Sequence, residues 1–371
     1  MQVKPISSAE HLAYINSRES VSFLQTPAWG KTKVGWQSQS IGWFDNDQLI
    51  GSGLVLLRKV PKVNKFLAYL PEGPDLDWTS NNLPNALIAL IEYLKPLGVF
   101  QVKIGPHVWV RRWHSETIKQ AIADESAKRI GELKVDEENQ SGLQLITHLR
   151  RLGWRQPEST DSGFGDYQPR YVFQLDLKNK TEDELLTSFN QLWRRNIKKA
   201  QKEGVTVRQG TKDDLALFHD CYVETAKRDK FTPRPLSYFK TMWTALSKED
   251  NNRIKLFIAE HKDHQGAIAA TTLTRVGKHS WYSYGASTTA ARDLRPSNAI
   301  QWEMIKDSLA AGSTVYDMRG ISDTLDQTNH LFGLIQFKLG TGGYAQEYVG
   351  EWDFVISKVW SKAFNLYMSR R

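Results

Sequence analysis

Cysteine is nearly absent: the 371 residues contain one, Cys221. A single thiol excludes an internal disulfide framework and suits a reducing compartment. Its neighbours Leu215, Phe218 and Tyr222 recur at helical spacing, so Cys221 reads as a core residue rather than a nucleophile. Long apolar runs are missing too. The longest, Leu87 to Leu94, is interrupted by Glu92 and falls far short of the roughly 20 residues a membrane span needs. The opening MQVKPISSAEHLAYINSRES has no apolar run of signal-peptide length, so any membrane contact is expected to be peripheral. There is no HExxH, no clustered Cys/His set, no GxSxG elbow and no Walker phosphate loop, and the nine histidines are scattered. Metal, triad and nucleotide-hydrolysis chemistry are therefore not expected.

What is present is positive charge. Lys and Arg number 49 against 41 Asp and Glu, a net +8 with pI near 9.3, which favours an anionic partner such as nucleic acid, a nucleotide-linked substrate or a membrane face. With 40% hydrophobic residues the chain can bury a core. Its length exceeds what one core usually spans, so two domains are expected.

The pattern along the chain is mixed. Ile41 to Trp43, Gln48 to Arg58 and Lys65 to Tyr69 read as strands joined by Asp-Asn, Pro and Asn turns; Asn85 to Lys95 is an amphipathic helix and Val99 to Ile104 a buried strand. Glu116 to Leu133 reads as a helix, as does Gly142 to Leu152. Gln156 to Gln168 is the best boundary. From Tyr171 the pattern restarts: strand, one long helix Glu182 to Lys202, helices Asp213 to Arg228 and Leu236 to Leu246, and strand Ile254 to Glu260. A hairpin of Ala267 to Arg275 with Ser280 to Ser287 and a helix Ser297 to Ala311 follow. A terminal helix, Trp360 to Met368, is expected to return to the first domain. The expected organisation is residues 1–167 plus 346–371 as one domain and 168–345 as the other.

Several stretches concentrate chemistry. The long helix carries Arg194, Arg195, Lys198, Lys199 and Lys202 largely opposite an apolar face of Leu185, Phe189, Leu192, Trp193, Ile197 and Ala200, a stripe able to track phosphates or simply a solvated face. In FTPRPLSYF two prolines stiffen the loop that presents Arg234 ahead of Tyr238. In SWYSYGA, alternation puts Tyr282 and Tyr284 on one sheet face and Trp281 on the other. Finally, Thr314 to Met318 is a strand running into Arg319-Gly320, and an apolar helix from Leu331 delivers Phe337 and Lys338 before a glycine-rich break. Lys338 there is a candidate fixed positive charge or a snorkelling helix-end lysine.

The tandem pattern resembles two GCN5-related N-acetyltransferase-like domains, an α/β (α+β) architecture of mixed sheets flanked by helices. In that fold acyl-CoA enzymes wrap the pyrophosphate with a glycine-rich turn at a helix N-terminus. The matching turn here, ARDLRPSNAIQWEMI, has no glycine, which argues against coenzyme A as donor. The segments FNQLWRRNIKKAQKEGV, YVETAKRDKFTPRPLSYF, WYSYGAS, RPSNAIQWEMI, YDMRGISDTLD, LFGLIQFKLGTGG and EYVGEWD, in that order, resemble the Fem family, and its actinobacterial FemX-like members in particular.

That resemblance implies an aminoacyl-tRNA-dependent peptidyltransferase. The ester carbonyl of aminoacyl-tRNA is attacked by an amine on the stem peptide of a peptidoglycan precursor, lipid II or UDP-MurNAc-pentapeptide. The implied setting is cytoplasmic, with possible peripheral contact at the inner membrane face, and aminoacyl-tRNA is the co-substrate, with no cofactor or metal. Carried over residue by residue, the WxKxK segment falls on Lys33 and the RPxxYF segment on Arg234 and Tyr238, all expected at the precursor. Tyr282, Tyr284 and Arg319 join the expected substrate-binding set. Phe337 and Lys338 are the expected catalytic pair, with Lys338 stabilising the oxyanion. Where some relatives carry an aspartate as base this chain has Gly105, leaving Asp317, Asp323 or the ribose hydroxyl to move the proton. No heptad stretch is long enough for a coiled-coil arm, so the basic helix is expected to contact tRNA. The rival classes are a CoA-dependent N-acyltransferase, a non-enzymatic RNA-binding protein and a tRNA-dependent enzyme of natural-product biosynthesis.

Overall fold

The computed structural model describes residues 1–157 and 167–369. Most of the expected boundary stretch, Gln156 to Gln168, lies outside the described residues. The chain divides into two units, one of Met1–Arg112, Val135–Tyr171 and Gln346–Arg371, the other of Trp113–Lys134 and Val172–Ala345. Residues 113–134, expected with the first domain, thus belong to the second.

Elements are numbered in chain order. The first unit is built on strands β1 (Gln2–Pro5), β2 (Gln37–Asp45), β3 (Gln48–Lys59), β4 (Phe66–Leu70), β5 (Val99–Ile104) and β15 (Trp352–Val355), paired in that order. All neighbours are antiparallel except β4 and β5, whose parallel pairing requires a crossover. Helix α3 (Leu83–Leu94) provides it, burying Leu83, Leu87, Leu90 and Leu94 on the sheet. The turn between β2 and β3 places Asn46 and Asp47 at φ 46° and 61°, the left-handed pair that a two-residue hairpin demands and that these two residue types tolerate best. Trp43, fully buried in the core, donates its indole N–H to the Ala86 carbonyl at 2.9 Å, so the burial strands no donor. The terminal helix α12 (Lys358–Ser369) packs Phe364 on Phe100 of β5, rings 5.4 Å apart.

In the second unit the order is β8 (Tyr171–Asp176), β13 (Val315–Gly320), β12 (His279–Ser287), β11 (Ala269–Val276), β10 (Ile254–Glu260) and β9 (Thr206–Gly210). Among these six strands only β12 and β13 run parallel, bridged by α10 (Pro296–Ala310). Helices α8 (Leu215–Asp229) and α9 (Leu236–Glu249) also pack on this sheet, and Cys221 is buried in α8. Desolvation pushes its thiol up to about 12, as befits an inert core residue.

Two sequence expectations give way. The helix foreseen over Glu182 to Lys202 is two, α6 (Glu182–Ser188) and α7 (Gln191–Lys202), because Asn190 leaves the helical region and caps the Trp193 N–H at 2.9 Å. The break re-phases the apolar face and leaves Leu192 51% exposed. The helix foreseen over Glu116 to Leu133 stops after α4 (Ser115–Ala123); Glu125 turns to φ 49° and only the short 3₁₀ turn Ile130–Glu132 follows. Among the described residues the longest helices, α8 and α10, have 15 residues, so none forms a coiled-coil arm.

Candidate active site

The site in the second unit begins with an irregularity in β12. Thr272 pairs with Tyr284 but Leu273 pairs with Tyr282, so Ser283 is an extra, bulged residue. Thr271, Leu273 and Tyr282 therefore share one face of the sheet, with Thr272 and Tyr284 on the other. Tyr282 and Tyr284, expected on one face, are split by the bulge. The Tyr284 hydroxyl meets that of Tyr238 on α9 at 2.9 Å, and its ring packs edge-on to Phe239. Arg234 lies on the Tyr238 ring, its guanidinium carbon 4.6 Å from the centroid. Tyr282 turns instead toward Gln301 of α10, and burial pushes its phenol up to about 12. Its ring covers Gly285 so closely that a Cβ there would collide with the hydroxyl, which is the steric reason for glycine.

Tyr282 and Gly285 form part of the wall of a cavity of about 960 Å³. The C-terminal end of α8 and the residues after it contribute Arg228 and Lys230, the turn before α10 gives Arg292, and helix α11 (Phe332–Leu339) gives Phe337. A smaller adjoining cavity of about 180 Å³ is also lined by Arg228, Arg292, Ser297 and Phe337, and adds Arg295, Pro296 and Asn298. The one carboxylate in the larger wall, Asp229, is already paired with Arg228 at 2.9 Å. Arg295 takes φ 60° immediately before Pro296, the first residue of α10, so the left-handed turn is made by an arginine. The guanidinium groups of Arg292 and Arg295 are exposed and have no partner among the described residues. Uncompensated cations beside the positive end of a helix dipole form a receptor for phosphate.

Behind this wall stands the β13–α11 connection. Lys338 is 3% exposed, and its ammonium donates to the carbonyls of Arg319 at 3.2 Å and Gly320 at 2.7 Å. Desolvation lowers its pKa to about 7, with Asp317 opposing the shift and Arg319 adding to it. Lys338 is thus not a snorkelling lysine, and it lies outside the residues lining either cavity; its neighbour Phe337 lines both. Two bonds use two of its three donors when charged.

Asp317, a candidate base, is fully buried and occupied: Gln174 donates to it at 2.9 Å, the Arg319 backbone N–H at 2.5 Å, and His279 stands 3.6 Å away. Desolvation works to raise its pKa, but the hydrogen bonds and the charges of His279 and Arg319 prevail and lower it. Arg319 adopts φ 63° and lines neither cavity. Asp323, the other candidate, pairs with Arg129 at 3.2 Å while its carbonyl accepts from Ile130, tying residues 113–134 to this unit. Neither carboxylate lines the cavity.

The basic residues of α7 are half-buried (Arg194, Lys199) or exposed (Arg195, Lys198, Lys202). Their helix touches the cavity wall directly. Trp193 donates its indole N–H to the Phe337 carbonyl at 2.7 Å with the rings 4.7 Å apart, and Asn196 meets Asn298 at 3.4 Å. In the first unit, Lys33 ends α2 (Pro27–Thr32) with its ammonium 5.1 Å from the Trp29 ring centre. Gly105 lines a small pocket with Glu72, His107 and Glu351; a Cβ on it would sit 3.1 Å from the Glu72 nitrogen, so a larger residue would need the backbone to shift.

Sequence reasoning missed Arg228, Arg292, Arg295 and the bridging Trp193. The signal was in ARDLRPS: arginines three apart, then proline at a helix start. The missing glycine argued against coenzyme A, and the arginines in its place make the wall cationic.

Two mixed sheets flanked by helices, the second carrying a cationic cavity at a helix N-terminus, define tandem acetyltransferase-like units. A crystal structure of FemX superposes with TM-score 0.79 at 23% identity, covering 98% of this chain and 99% of that one. A tandem acetyltransferase-type protein from the clavulanic acid biosynthesis pathway gives 0.55 at 10% identity, over 96% of this chain and 98% of that one. The FemAB family model matches residues 6–252 and 244–368, and the chain belongs to that family. Its relatives include proteins named lipid II:glycine glycyltransferase: from Staphylococcus epidermidis RP62A, 26% identical over 96% of this chain and 94% of the relative, and from Staphylococcus aureus MRSA252, 25% identical over the same shares. These relatives are staphylococcal and do not single out the actinobacterial branch.

Proposed function

We propose that this protein moves a small amino acid, glycine by analogy with the names of its relatives, from aminoacyl-tRNA to the side-chain amine of a peptidoglycan precursor's stem peptide. The observation that carries this reading is the cavity between α8, α10 and α11, where Arg228, Arg292 and Arg295 crowd the N-terminus of α10. In this reading the arginines take the terminal phosphates of the acceptor stem, the 3′-adenosine fills the larger cavity against Phe337, and α7 follows the backbone with its basic face.

The chemistry asks little of the protein. The amine attacks the ester carbonyl, the C–N bond forms, and the ribose oxygen leaves with a proton. Ester to amide is downhill, so alignment and stabilisation of the developing oxyanion suffice, without cofactor or metal. With Asp317 and Asp323 engaged elsewhere, the ribose hydroxyl is the preferred proton carrier. Lys338 contributes by fixing α11 against β13, which holds its neighbour Phe337 in the cavity wall. Arg234, laid on the Tyr238 ring, binds the precursor's diphosphate. The setting is the cytoplasmic side of the membrane.

The test is to incubate the protein with glycyl-, alanyl- and seryl-tRNA and, separately, lipid II and UDP-MurNAc-pentapeptide, reading product mass. An aminoacylated precursor supports the proposal. Acetylation from acetyl-CoA, with no product from charged tRNA, would replace it with a CoA-dependent N-acyltransferase.

A further inference from the structure

The first unit has a surface that aminoacyl transfer does not use. Helix α12 turns Trp360, Ser361, Phe364 and Met368 inward, the Ser361 hydroxyl bonding Gln101 at 2.6 Å. Its opposite side shows Lys358, Lys362, Val359 at 76% exposure and Leu366 at 55%. The loop joining β3 to β4 lies against this helix: Val60 packs on the Phe364 cluster and the Arg58 guanidinium carbon sits 5.8 Å from the Phe364 ring centre. The end of β3 and that loop together, RKVPKVNK, have basic residues at 58, 59, 62 and 65 and no acid; α12 has no acid either. The adjoining turn adds exposed Lys95 and Leu97, Gly98 being held at the loop by its carbonyl's bond from the Phe66 N–H.

We infer that α12, the β3–β4 loop and the Lys95–Leu97 turn form one docking surface for an anionic lipid membrane. Cations without intervening carboxylates supply attraction to acidic headgroups. Exposed valine and leucines among them are what a headgroup layer accommodates and a purely phosphate-binding face does not require. Among the described residues no helix is long and apolar enough to cross a membrane; the proposed contact runs along the exposed side of α12. The proposal stands independently of the transfer reaction, since it needs no substrate in the bilayer.

The test is co-sedimentation of the full chain with phosphatidylcholine vesicles, with and without phosphatidylglycerol and with no precursor present. Wild type should partition onto the anionic vesicles, less so as salt rises. Lys358→Glu/Lys362→Glu should lower that partitioning at least about tenfold, and Val359→Ser/Leu366→Ser should lower what survives at high salt. Lys4→Glu, a charge reversal on β1 at the far edge of the same sheet from β5, should change it less than about twofold, since screened charges act only near the surface. Thermal melts establish that each variant is folded. No preference of wild type for anionic vesicles overturns the proposal, as does an equal effect of the two charge reversals. Loss of tRNA binding with vesicle binding intact would assign the surface to RNA instead.

Discussion

The ammonium nitrogen of Lys338 is held 2.7 Å from the carbonyl oxygen of Gly320, which closes the end of β13 onto α11. The bond places a titratable group in the interior, and the consequence is a pH dependence of known sign. The native pKa, about 7, lies below the 10.5 of an ordinary lysine, so between the two the unfolded chain holds a proton that the native chain does not. Stability relative to Lys338→Met should therefore rise with pH across that window and be lost as pH falls toward 7, at most about 1.4 kcal/mol per pH unit. Denaturant melts from pH 6 to 10 check this; parallel curves for the two proteins would contradict it.

Gly285 is the second sensitive point. A Cβ there drives the Tyr282 hydroxyl away, and the ring's escape is into the cavity. Gly285→Ala should cost about 1–3 kcal/mol and reduce donor affinity more than the thermal shift alone explains. Isothermal titration with charged tRNA beside a melt separates the two effects.

The bulge at Ser283 predicts that the two tyrosines respond differently. Tyr284→Phe removes the 2.9 Å bond to Tyr238 and should cost about 1 kcal/mol, leaving donor affinity unchanged. Tyr282→Phe should lower donor affinity. The same titrations and melts decide, and equal effects on donor binding would place both rings at the cavity.

Arg292→Ala and Arg295→Ala should each weaken tRNA binding and lower the slope of log affinity against log salt by about 0.7 to 1. Affinity measured at several salt concentrations reads this directly. An unchanged slope would mean that neither guanidinium contacts phosphate.

How far the sequence carried depended on the range of the interaction. Local signals were legible: a turn at Asp45-Asn46, one residue before the observed pair, the amphipathic α3, the hairpin of β11 and β12, and the helix bearing Phe337 and Lys338 all follow from spacing and turn chemistry. The break at Asn190 was hidden because the residues around it keep a helical apolar spacing that a cap residue can interrupt. The bulge at Ser283 was hidden because strict alternation is the default for a strand, and the extra residue shows only against its partner strand. The full burial of Lys338 depends on the carbonyls of Arg319 and Gly320, which come from another element. Arg228 reaches the cavity only because α8 ends where α10 begins in space, a long-range fact invisible to spacing.

The central claim is that the arginine-rimmed cavity receives the 3′ end of aminoacyl-tRNA. The most direct measurement is photo-crosslinking of a non-hydrolysable glycyl-tRNA analogue carrying a photoreactive terminal adenine, followed by peptide mapping. The account predicts adducts within residues 225–231 and 330–337, the cavity's two flanking segments, and their loss in the Arg292→Ala/Arg295→Ala double variant. Adducts confined to other segments, or unaffected by that substitution, would contradict it.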